Sequence, residues 1–168
     1  MIAVASLLGL IVIIRPVNGL VLLALPVVLG GAWRDTVKRA IQHPMILVIA
    51  VIACGAVVFI QPLLWHAQTG NWYAYGYTGE GFHWDRPEVL KVLFGFRRGL
   101  FLWTPVLLFA LFGTAWLLLK DRARGIGMLL YWATNLYVIS AWWIWYYGSG
   151  FGSRVFVDHY AVLAIPMA

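Results

Sequence analysis

The chain has 168 residues, of which 63% are hydrophobic and only 11% are charged. A soluble globular domain is about 45–50% apolar and about 25% charged, so this composition excludes the soluble globular and disordered classes. The 12 Lys and Arg residues outnumber the 6 Asp and Glu residues. They fall in short clusters between apolar runs, which is typical of membrane flanks and not of a nucleic-acid-binding face. We therefore expect an integral membrane protein with no nucleic-acid partner.

The apolar runs predict an all-α, polytopic transmembrane helical bundle with four full spans. A helix needs about 20 mostly apolar residues to cross the hydrocarbon core. Three runs meet this length: Pro44–Trp65, Gly99–Leu119 and Gly125–Tyr147. A fourth run, Pro16–Trp33, is shorter and carries Pro26, which a membrane helix tolerates when its neighbours satisfy the freed backbone groups.

Two partial spans lie at the ends of the chain, Met1–Ile14 and Val155–Ala168. As a helix, each would reach about 21 Å, which is too short to cross the bilayer. The first run also lacks the basic segment and the small-residue cleavage site of a signal peptide. We therefore expect residues 1–168 to be a single transmembrane region of a longer protein.

Two short basic loops set the expected orientation. One lies between Trp33 and Pro44 and the other between Leu119 and Gly125, and together they carry Arg34, Lys38, Arg39, Lys120, Arg122 and Arg124. Short basic loops are retained in the cytoplasm. The turn at residues 15–18, the long loop at residues 66–98 and the loop at residues 148–154 are then expected on the outer face.

The outer loop, residues 66–98, contains one predicted helix. Its first part is rich in glycine and aromatic residues and is expected to be irregular. Arg86 through Phe94 have Pro87 and Glu88 in a first helical turn, followed by apolar residues at helical spacing. We expect this short helix to lie in the outer membrane interface.

Arg97 and Arg98 stand at the outer end of a predicted span. One interpretation is that their side chains reach lipid phosphates, as arginines near helix ends commonly do. The other is a site for a phosphate or pyrophosphate, because the guanidinium group offers a rigid fork that matches phosphate oxygens. The sequence leaves both interpretations open.

A second charged pair, Arg154 and Asp158, opens the final apolar run. If a helix has begun at Arg154, the spacing of four residues places both side chains on one of its faces. They form either a simple interfacial ion pair or part of a functional site, since charge at membrane depth is costly and is therefore often functional.

Residues 142–147 are Trp-Trp-Ile-Trp-Tyr-Tyr, a denser aromatic segment than a membrane anchor requires. These rings form an aromatic belt at the interface, or a ring such as Trp145 stacks against a sugar ring or a polyprenyl chain. Gly148, Gly150 and Gly152 follow without the preceding strand or the spacing of a dinucleotide-binding fingerprint. They predict a tight turn or a close approach of the backbone to a ligand.

Glu80, His83 and Asp85 are the clustered titratable residues of the outer loop. They are either solvated loop residues or general-base and hydrogen-bonding residues for a hydroxylated substrate. The sequence has no HExxH, paired-cysteine or nucleophile-elbow motif, and Cys54 is its single cysteine. We expect no metal and no cofactor.

Two long segments carry a family resemblance. The first contains Gly70-Asn-Trp72, Tyr77, Glu80-Gly-Phe82, Pro87 and the run Leu93-Phe-Gly-Phe-Arg97-Arg98-Gly99-Leu-Phe-Leu-Trp-Thr-Pro105. The second is Trp142-Trp143-Ile-Trp145-Tyr-Tyr-Gly148-Ser-Gly150-Phe-Gly152-Ser-Arg154, followed by Asp158-His-Tyr160 and Leu163-Ala-Ile-Pro166. With the turn Arg15-Pro16-Val-Asn18, these segments resemble the bacterial multi-pass glycosyltransferases of the GT-C class. The similarity is to the family 39 type, which is related to the dolichyl-phosphate-mannose protein mannosyltransferases.

The resemblance implies transfer of a sugar from a polyprenyl-phosphate carrier to an acceptor on the outer face of the bacterial cytoplasmic membrane. It also implies that the acidic catalytic base lies in a first outer loop before Met1, so no catalytic residue is assigned to this chain. Substrate-binding residues are then expected among Arg97, Arg98, Arg154, Asp158, Glu80, His83, Asp85 and Trp145. The expected partners are membrane lipid and the lipid-linked sugar donor, and the acceptor is not identified.

Two functions of other classes remain as alternatives. A transporter or flippase of lipid-linked sugars needs the same outer arginines but no base, and it is expected to show inverted repeats with paired interrupted helices. Pro26 and Pro105 interrupt predicted spans, but their contexts do not match. The third possibility is a non-catalytic membrane scaffold.

Overall fold

The computed structural model describes residues 2–74, 76 and 78–167. Met1, Tyr75, Tyr77 and Ala168 lie outside the described residues, and Tyr77 is the one position of the family-like segments among them. Helix accounts for 74% of the structure, and the described residues form no strand. The all-α class expected from the apolar runs is therefore confirmed.

The α-helices of the described residues follow one another in this order: α1 (Ile2–Ile14), α2 (Leu25–Leu29), α3 (Trp33–Gln42), α4 (Pro44–Thr69), α5 (Val89–Phe94), α6 (Leu100–Trp103), α7 (Leu107–Lys120), α8 (Arg122–Ser140) and α9 (Tyr160–Leu163). Short 3₁₀ segments connect or extend them at Pro16–Ala24, Gly30–Ala32, Arg154–His159 and Ile165–Met167.

Two helical stretches among the described residues are long and apolar enough to cross a membrane, judged by length and composition. One is Pro16–Gln42, in which α2 and α3 are joined to 3₁₀ segments, and the other is α4. Both α1 and α7 are apolar but shorter. Two of the four predicted spans therefore have the length and composition of a transmembrane helix.

The first of these stretches does not end at Trp33, where the predicted span ends. It continues as α3 through Gln42, so Arg34, Lys38 and Arg39 lie on a helix and not in a loop. The helix ends at His43, which has φ −119° and ψ 67°. Pro44 explains this end, because the ring of a proline disfavours the α conformation in the residue before it.

The predicted span Gly99–Leu119 is interrupted in the structure. It consists of α6 and α7, which are separated at residues 104–106. Pro105 causes the interruption, since it has no N–H to donate and pushes the preceding Thr104 out of the α conformation, to φ −136° and ψ 66°.

The predicted span Gly125–Tyr147 is shorter than expected because α8 ends at Ser140. The carbonyl oxygens that end the helix accept hydrogen bonds from the loop before α5. The Glu88 N–H donates to the Ser140 oxygen at 2.9 Å, and the His83 N–H donates to the Ala141 oxygen at 2.6 Å. The same bonds hold Glu88 at the start of α5, so this predicted short helix is present but begins at Val89 instead of Arg86.

Residues Met1–Gly19 and Gly31–Gly79 form one compact unit, in which α1 packs along α4. Gly9 permits the close approach, since a Cβ there would lie 2.9 Å from both the Cys54 carbonyl oxygen and the Val57 Cβ. Of the 26 residues of α4, Ala50 alone is buried. Most of this apolar helix therefore presents its side chains to the surroundings.

Residues Leu20–Gly30 and Glu80–Ala168 form a second compact unit, which contains the described core around α8. The largest fully buried side chains include Met128 and Tyr131 of α8 and Phe156 of the C-terminal segment. Gly127 lets α2 pack closely, because a Cβ at this position would already lie 3.3 Å from Pro26 and Val27. Small residues at such crossings are the usual means by which membrane helices approach each other.

Candidate functional site

The turn at residues 95–99 brings two of the predicted site residues to the segment that follows α8. The turn closes through the Gly99 N–H, which donates to the Gly95 carbonyl oxygen at 2.6 Å. Gly95 is required here, because a Cβ would lie 2.6 Å from the Cη2 atom of Trp145. The indole of Trp145 thus packs on the turn that carries Arg97 and Arg98.

Arg98 points into the protein. Its side chain is 9% exposed, and its Nη1 donates hydrogen bonds to the carbonyl oxygens of Tyr146, at 2.8 Å, and Tyr147, at 3.3 Å. No carboxylate of the described residues forms an ion pair with it. Hydrogen bonds from a charged donor are stronger than neutral ones, so Arg98 fixes the backbone of residues 146–147.

Arg97, the neighbour of Arg98, points outward. Its Cζ lies 3.8 Å from the centroid of the Tyr146 ring, which is a cation–π contact. The side chain is exposed and, within the described ranges, has no acidic partner. Tyr146 therefore holds the Arg97 guanidinium in place and leaves its positive charge uncompensated.

Arg154, which follows residues 146–148 in the chain, also lies near them. Its Nη2 lies 3.9 Å from the position that a Cβ would take on Gly148. It begins the 3₁₀ segment Arg154–His159, is exposed, and among the described side chains has no ion-pair partner. Arg97 and Arg98 thus contact residues 146–148, which we call the 146–148 turn, and the guanidinium of Arg154 lies near Gly148 of the same turn.

The backbone of the 146–148 turn adopts a conformation that few residues accept. Tyr147 has φ +48° and Gly148 has φ +73°, both in the left-handed region, which is disfavoured for residues that carry a Cβ. Tyr147 is held there by Arg98 and by its own hydroxyl, which donates to the Ile139 carbonyl oxygen at 2.8 Å. These bonds therefore fix the backbone of the turn, and the ring of its first residue, Tyr146, supports the exposed guanidinium of Arg97.

An exposed aromatic cluster lies beside this turn. Phe96 and Phe151 are 91% and 82% exposed. Trp103 connects them, since its Nε1 donates to the Phe96 carbonyl oxygen at 3.0 Å and its ring meets Phe151 edge-on at 4.8 Å. Large exposed rings next to unpaired cations form a surface that suits an amphiphilic anion.

The titratable residues of the outer loop occupy a separate part of the same unit. The backbone of His83 is bonded to the end of α8, and Asp85 pairs with Arg86 at 3.3 Å in a solvent-exposed contact. In the part of the chain that the structure describes, neither side chain forms a hydrogen bond or ion pair with the three arginines. Glu80 is half-buried.

Arg154 and Asp158 do not have the helical relationship that their spacing predicts. Arg154–His159 is a 3₁₀ segment, in which residues three apart share a face and residues four apart differ by about a third of a turn. The condition for a shared helical face, an α-helix that has begun at Arg154, is therefore not met.

Several contacts in this unit have no signal in the sequence. The hydroxyl of Tyr131 and Nδ1 of His159 form a buried hydrogen bond of 2.7 Å, and the hydroxyls of Thr104 and Tyr160 lie 3.2 Å apart. Tyr146, which holds Arg97, is one aromatic residue among many in its segment. These pairs join residues that are distant in the chain, so only the tertiary structure reveals them.

Comparisons with known proteins identify no relative of this chain. The chain matches no protein-family model, no curated protein and no solved structure. No group of three His, Cys, Asp or Glu side chains among the described residues is placed to hold a metal ion. The function is therefore inferred from the residues of the chain itself.

Proposed function

We propose that this protein is a polytopic membrane glycosyltransferase that takes its sugar from a polyprenyl-phosphate carrier on the outer face of the bacterial cytoplasmic membrane. One observation carries the proposal. Two exposed arginines, Arg97 and Arg154, lie at the 146–148 turn, have no carboxylate partner among the described residues, and adjoin the exposed rings of Phe96 and Phe151.

The two halves of this surface suit the two halves of the carrier. Guanidinium groups stay charged when they are partly desolvated and can each hold two phosphate oxygens. A polyprenyl chain is apolar, and exposed aromatic rings offer it a large contact area. In this proposal Arg97 and Arg154 bind the phosphate, while the buried Arg98 positions the turn. Of the three arginines that the sequence predicted as phosphate ligands, two are therefore proposed to bind phosphate and one to have a structural role.

The proposed reaction moves the sugar in one displacement. The oxygen of an acceptor hydroxyl attacks the anomeric carbon, and the bond from that carbon to the phosphate oxygen breaks with its electron pair on the phosphate. The hydroxyl proton passes to a base, which the resemblance assigns to a carboxylate outside these residues. The carrier changes from a phosphodiester to a phosphomonoester and gains negative charge, so Arg97 and Arg154 stabilise the leaving group more than the substrate.

The apolar helices support the membrane location. Pro16–Gln42 and α4 have the length and composition of spans, and most side chains of α4 are exposed. The proposal adds two further crossings, one made by α6 with α7 and one by α8, which gives the four-span bundle expected from the sequence. The 95–99 and 146–148 turns then lie at the outer interface.

The test measures donor binding and sugar transfer in membranes that contain the protein together with the outer loop to which the resemblance assigns the catalytic base. The donor is polyprenyl phosphate carrying a tritium-labelled hexose, and its concentration is varied at a fixed protein level. Arg97→Ala and Arg154→Ala are compared with Arg86→Ala, which removes an arginine of the same unit that is 87% exposed and paired with Asp85. We expect transfer by the unmodified protein, a loss in the first two variants, and no change in the control.

The result also separates the proposed enzyme from its rivals. Binding of the donor that depends on Arg97 and Arg154, with no release of the hexose from the carrier, would identify a transporter of lipid-linked sugars and reject sugar transfer. Equal donor binding by all four proteins would reject the phosphate site.

A further inference from the structure

A second cationic site lies at the turn between α7 and α8. A cleft of about 450 Å³ opens there, lined by the charged residues Lys120, Asp121 and Arg124 and by the apolar residues Trp116, Leu117, Ile165 and Pro166. We call it the α7–α8 cleft. It shares no residue with the 95–99 turn or the 146–148 turn.

The charge in the cleft is positive. The Oδ1 of Asp121 accepts a hydrogen bond from the Arg124 N–H at 3.2 Å, and its Oδ2 lies 3.6 Å from Nε of Arg124. Both carboxylate oxygens of Asp121 thus interact with Arg124, one with its backbone N–H in the first turn of α8 and the other with its side chain. Lys120 makes no ion pair with any described residue, so its charge is available to a ligand. The N-terminus of α8 adds further positive potential.

Arg124 packs against Gly30 at this position. Its guanidinium lies against the backbone of Gly30, which has φ +54°, and a Cβ on Gly30 would clash with it. The side chain is 42% exposed, so one part packs on Gly30 and another part is open. A partly exposed guanidinium is well suited to bind a phosphate.

An apolar stripe leads along α7 to the cleft. Phe109, Phe112 and Trp116 follow one another at spacings of three and four residues, and each is more than half exposed. Residues at these spacings share one face of a helix. The cationic cleft therefore lies at the end of an exposed apolar face. This arrangement matches a lipid, whose charged headgroup lies at the end of its apolar acyl chains.

We propose that the α7–α8 cleft binds an anionic glycerophospholipid. Its phosphate lies between Lys120 and Arg124, and an acyl chain lies along Trp116 and Phe112. Basic pockets between transmembrane helices bind anionic headgroups on the cytoplasmic side. This inference shares the membrane location with the proposed function but is independent of the phosphate site at Arg97 and Arg154 and of sugar transfer.

The experiment is a native mass spectrometry titration of the purified full chain in detergent micelles, with no sugar donor present. The probes are dioleoylphosphatidylglycerol, the zwitterionic dioleoylphosphatidylcholine, and the soluble glycerol 3-phosphate. We expect preferential binding of the phosphatidylglycerol and weaker binding of the other two. Lys120→Gln is expected to weaken this binding about five- to tenfold, because one cationic contact with the phosphate is lost.

The control variant is Arg122→Gln, which removes the same charge from the same turn at an exposed residue that does not line the cleft. It is expected to bind phosphatidylglycerol like the unmodified protein. If both variants bind phosphatidylglycerol equally weakly, the net charge of the turn and not the cleft determines binding, and the inference is overturned. Equal binding of the two lipids would overturn it too, and glycerol 3-phosphate binding as tightly as the lipid would assign the cleft to a free phosphate. Lys120 is exposed, so Lys120→Gln is expected to fold like the unmodified protein, which circular dichroism verifies.

Discussion

The guanidinium of Arg98 donates a hydrogen bond of 2.8 Å to the carbonyl oxygen of Tyr146, 48 residues further along the chain. The ring of the same tyrosine supports the guanidinium of Arg97 at 3.8 Å. Two consecutive arginines therefore use one residue in two ways. Arg98 fixes the backbone of Tyr146 from the protein interior, and the ring of Tyr146 supports Arg97 at the surface. An uncompensated surface cation thus depends on a buried one for its position.

The first prediction concerns the buried member of this pair. Arg98→Ala leaves the carbonyl oxygens of Tyr146 and Tyr147 without their donor, and it is expected to lower the free energy of unfolding by about 1.5–3 kcal/mol. Thermal unfolding of the purified protein in detergent measures the change. Arg86→Ala, at an exposed arginine, is expected to change stability by less than about 0.5 kcal/mol. If both variants unfold at the same temperature, Arg98 does not stabilise the turn.

The second prediction separates phosphate binding from simple anchoring at Arg97 and Arg154. Alanine is expected to reduce transfer efficiency by roughly one to two orders of magnitude, because a charge-assisted hydrogen bond is lost. Lysine keeps the charge but not the fork, so its variants are expected to lie between alanine and arginine. Transfer at varied donor concentration measures both. Full activity of the lysine variants would favour side chains that only reach lipid headgroups, since either cation does this equally well.

The third prediction addresses Tyr146. Tyr146→Leu removes the aromatic face under Arg97, and the affinity for the polyprenyl-phosphate donor is expected to fall by about two- to fivefold, the effect of an exposed cation–π contact. Tyr146→Phe keeps the face and the carbonyl oxygen that Arg98 contacts, so donor affinity is expected to stay unchanged. The donor titration distinguishes the two variants. A similar loss in both would show that the hydroxyl, and not the ring, matters.

The fourth prediction uses two adjacent glycines. Gly30→Ala places a Cβ against the Arg124 guanidinium at φ +54° and is expected to destabilise the protein by about 1–3 kcal/mol. Gly31→Ala meets no atom within 4 Å and is expected to be neutral or slightly stabilising. Melting temperatures of the two variants, measured side by side, test the difference. Equal melting temperatures would mean that Arg124 moves away without cost.

The fifth prediction tests the orientation. In a Cys54→Ala background, an impermeant thiol reagent added to intact cells is expected to label Ser149→Cys and not Thr36→Cys. Thr36 lies on α3 with Arg34, Lys38 and Arg39, and such basic segments are retained in the cytoplasm. Labelling after the cells are permeabilised shows that Thr36→Cys is reactive. Labelling of Thr36→Cys in intact cells would reverse the orientation.

The sequence by itself determined the helical class and the apolar character of the chain. Both follow from composition and from runs of neighbouring residues, and these are local properties. It also located α5 to within a few residues, because an apolar stripe at helical spacing is visible in the chain. The break at Pro105 was also predictable from the sequence, because a proline acts on its immediate neighbours. The predicted span Gly99–Leu119 nevertheless continued through it.

The tertiary structure decided where α8 ends and which arginine is buried. α8 ends at Ser140, where the N–H groups of His83 and Glu88, more than 50 residues earlier, bond to the carbonyl oxygens of Ala141 and Ser140. Arg97 and Arg98 are chemically identical neighbours, and no sequence pattern distinguishes them. Arg98 is buried against the backbone carbonyl oxygens of residues 146–147, and Arg97 lies exposed over the Tyr146 ring. A hydrogen bond or cation–π contact between distant residues depends on where the folded backbone places both partners, and that placement is a property of the packed chain.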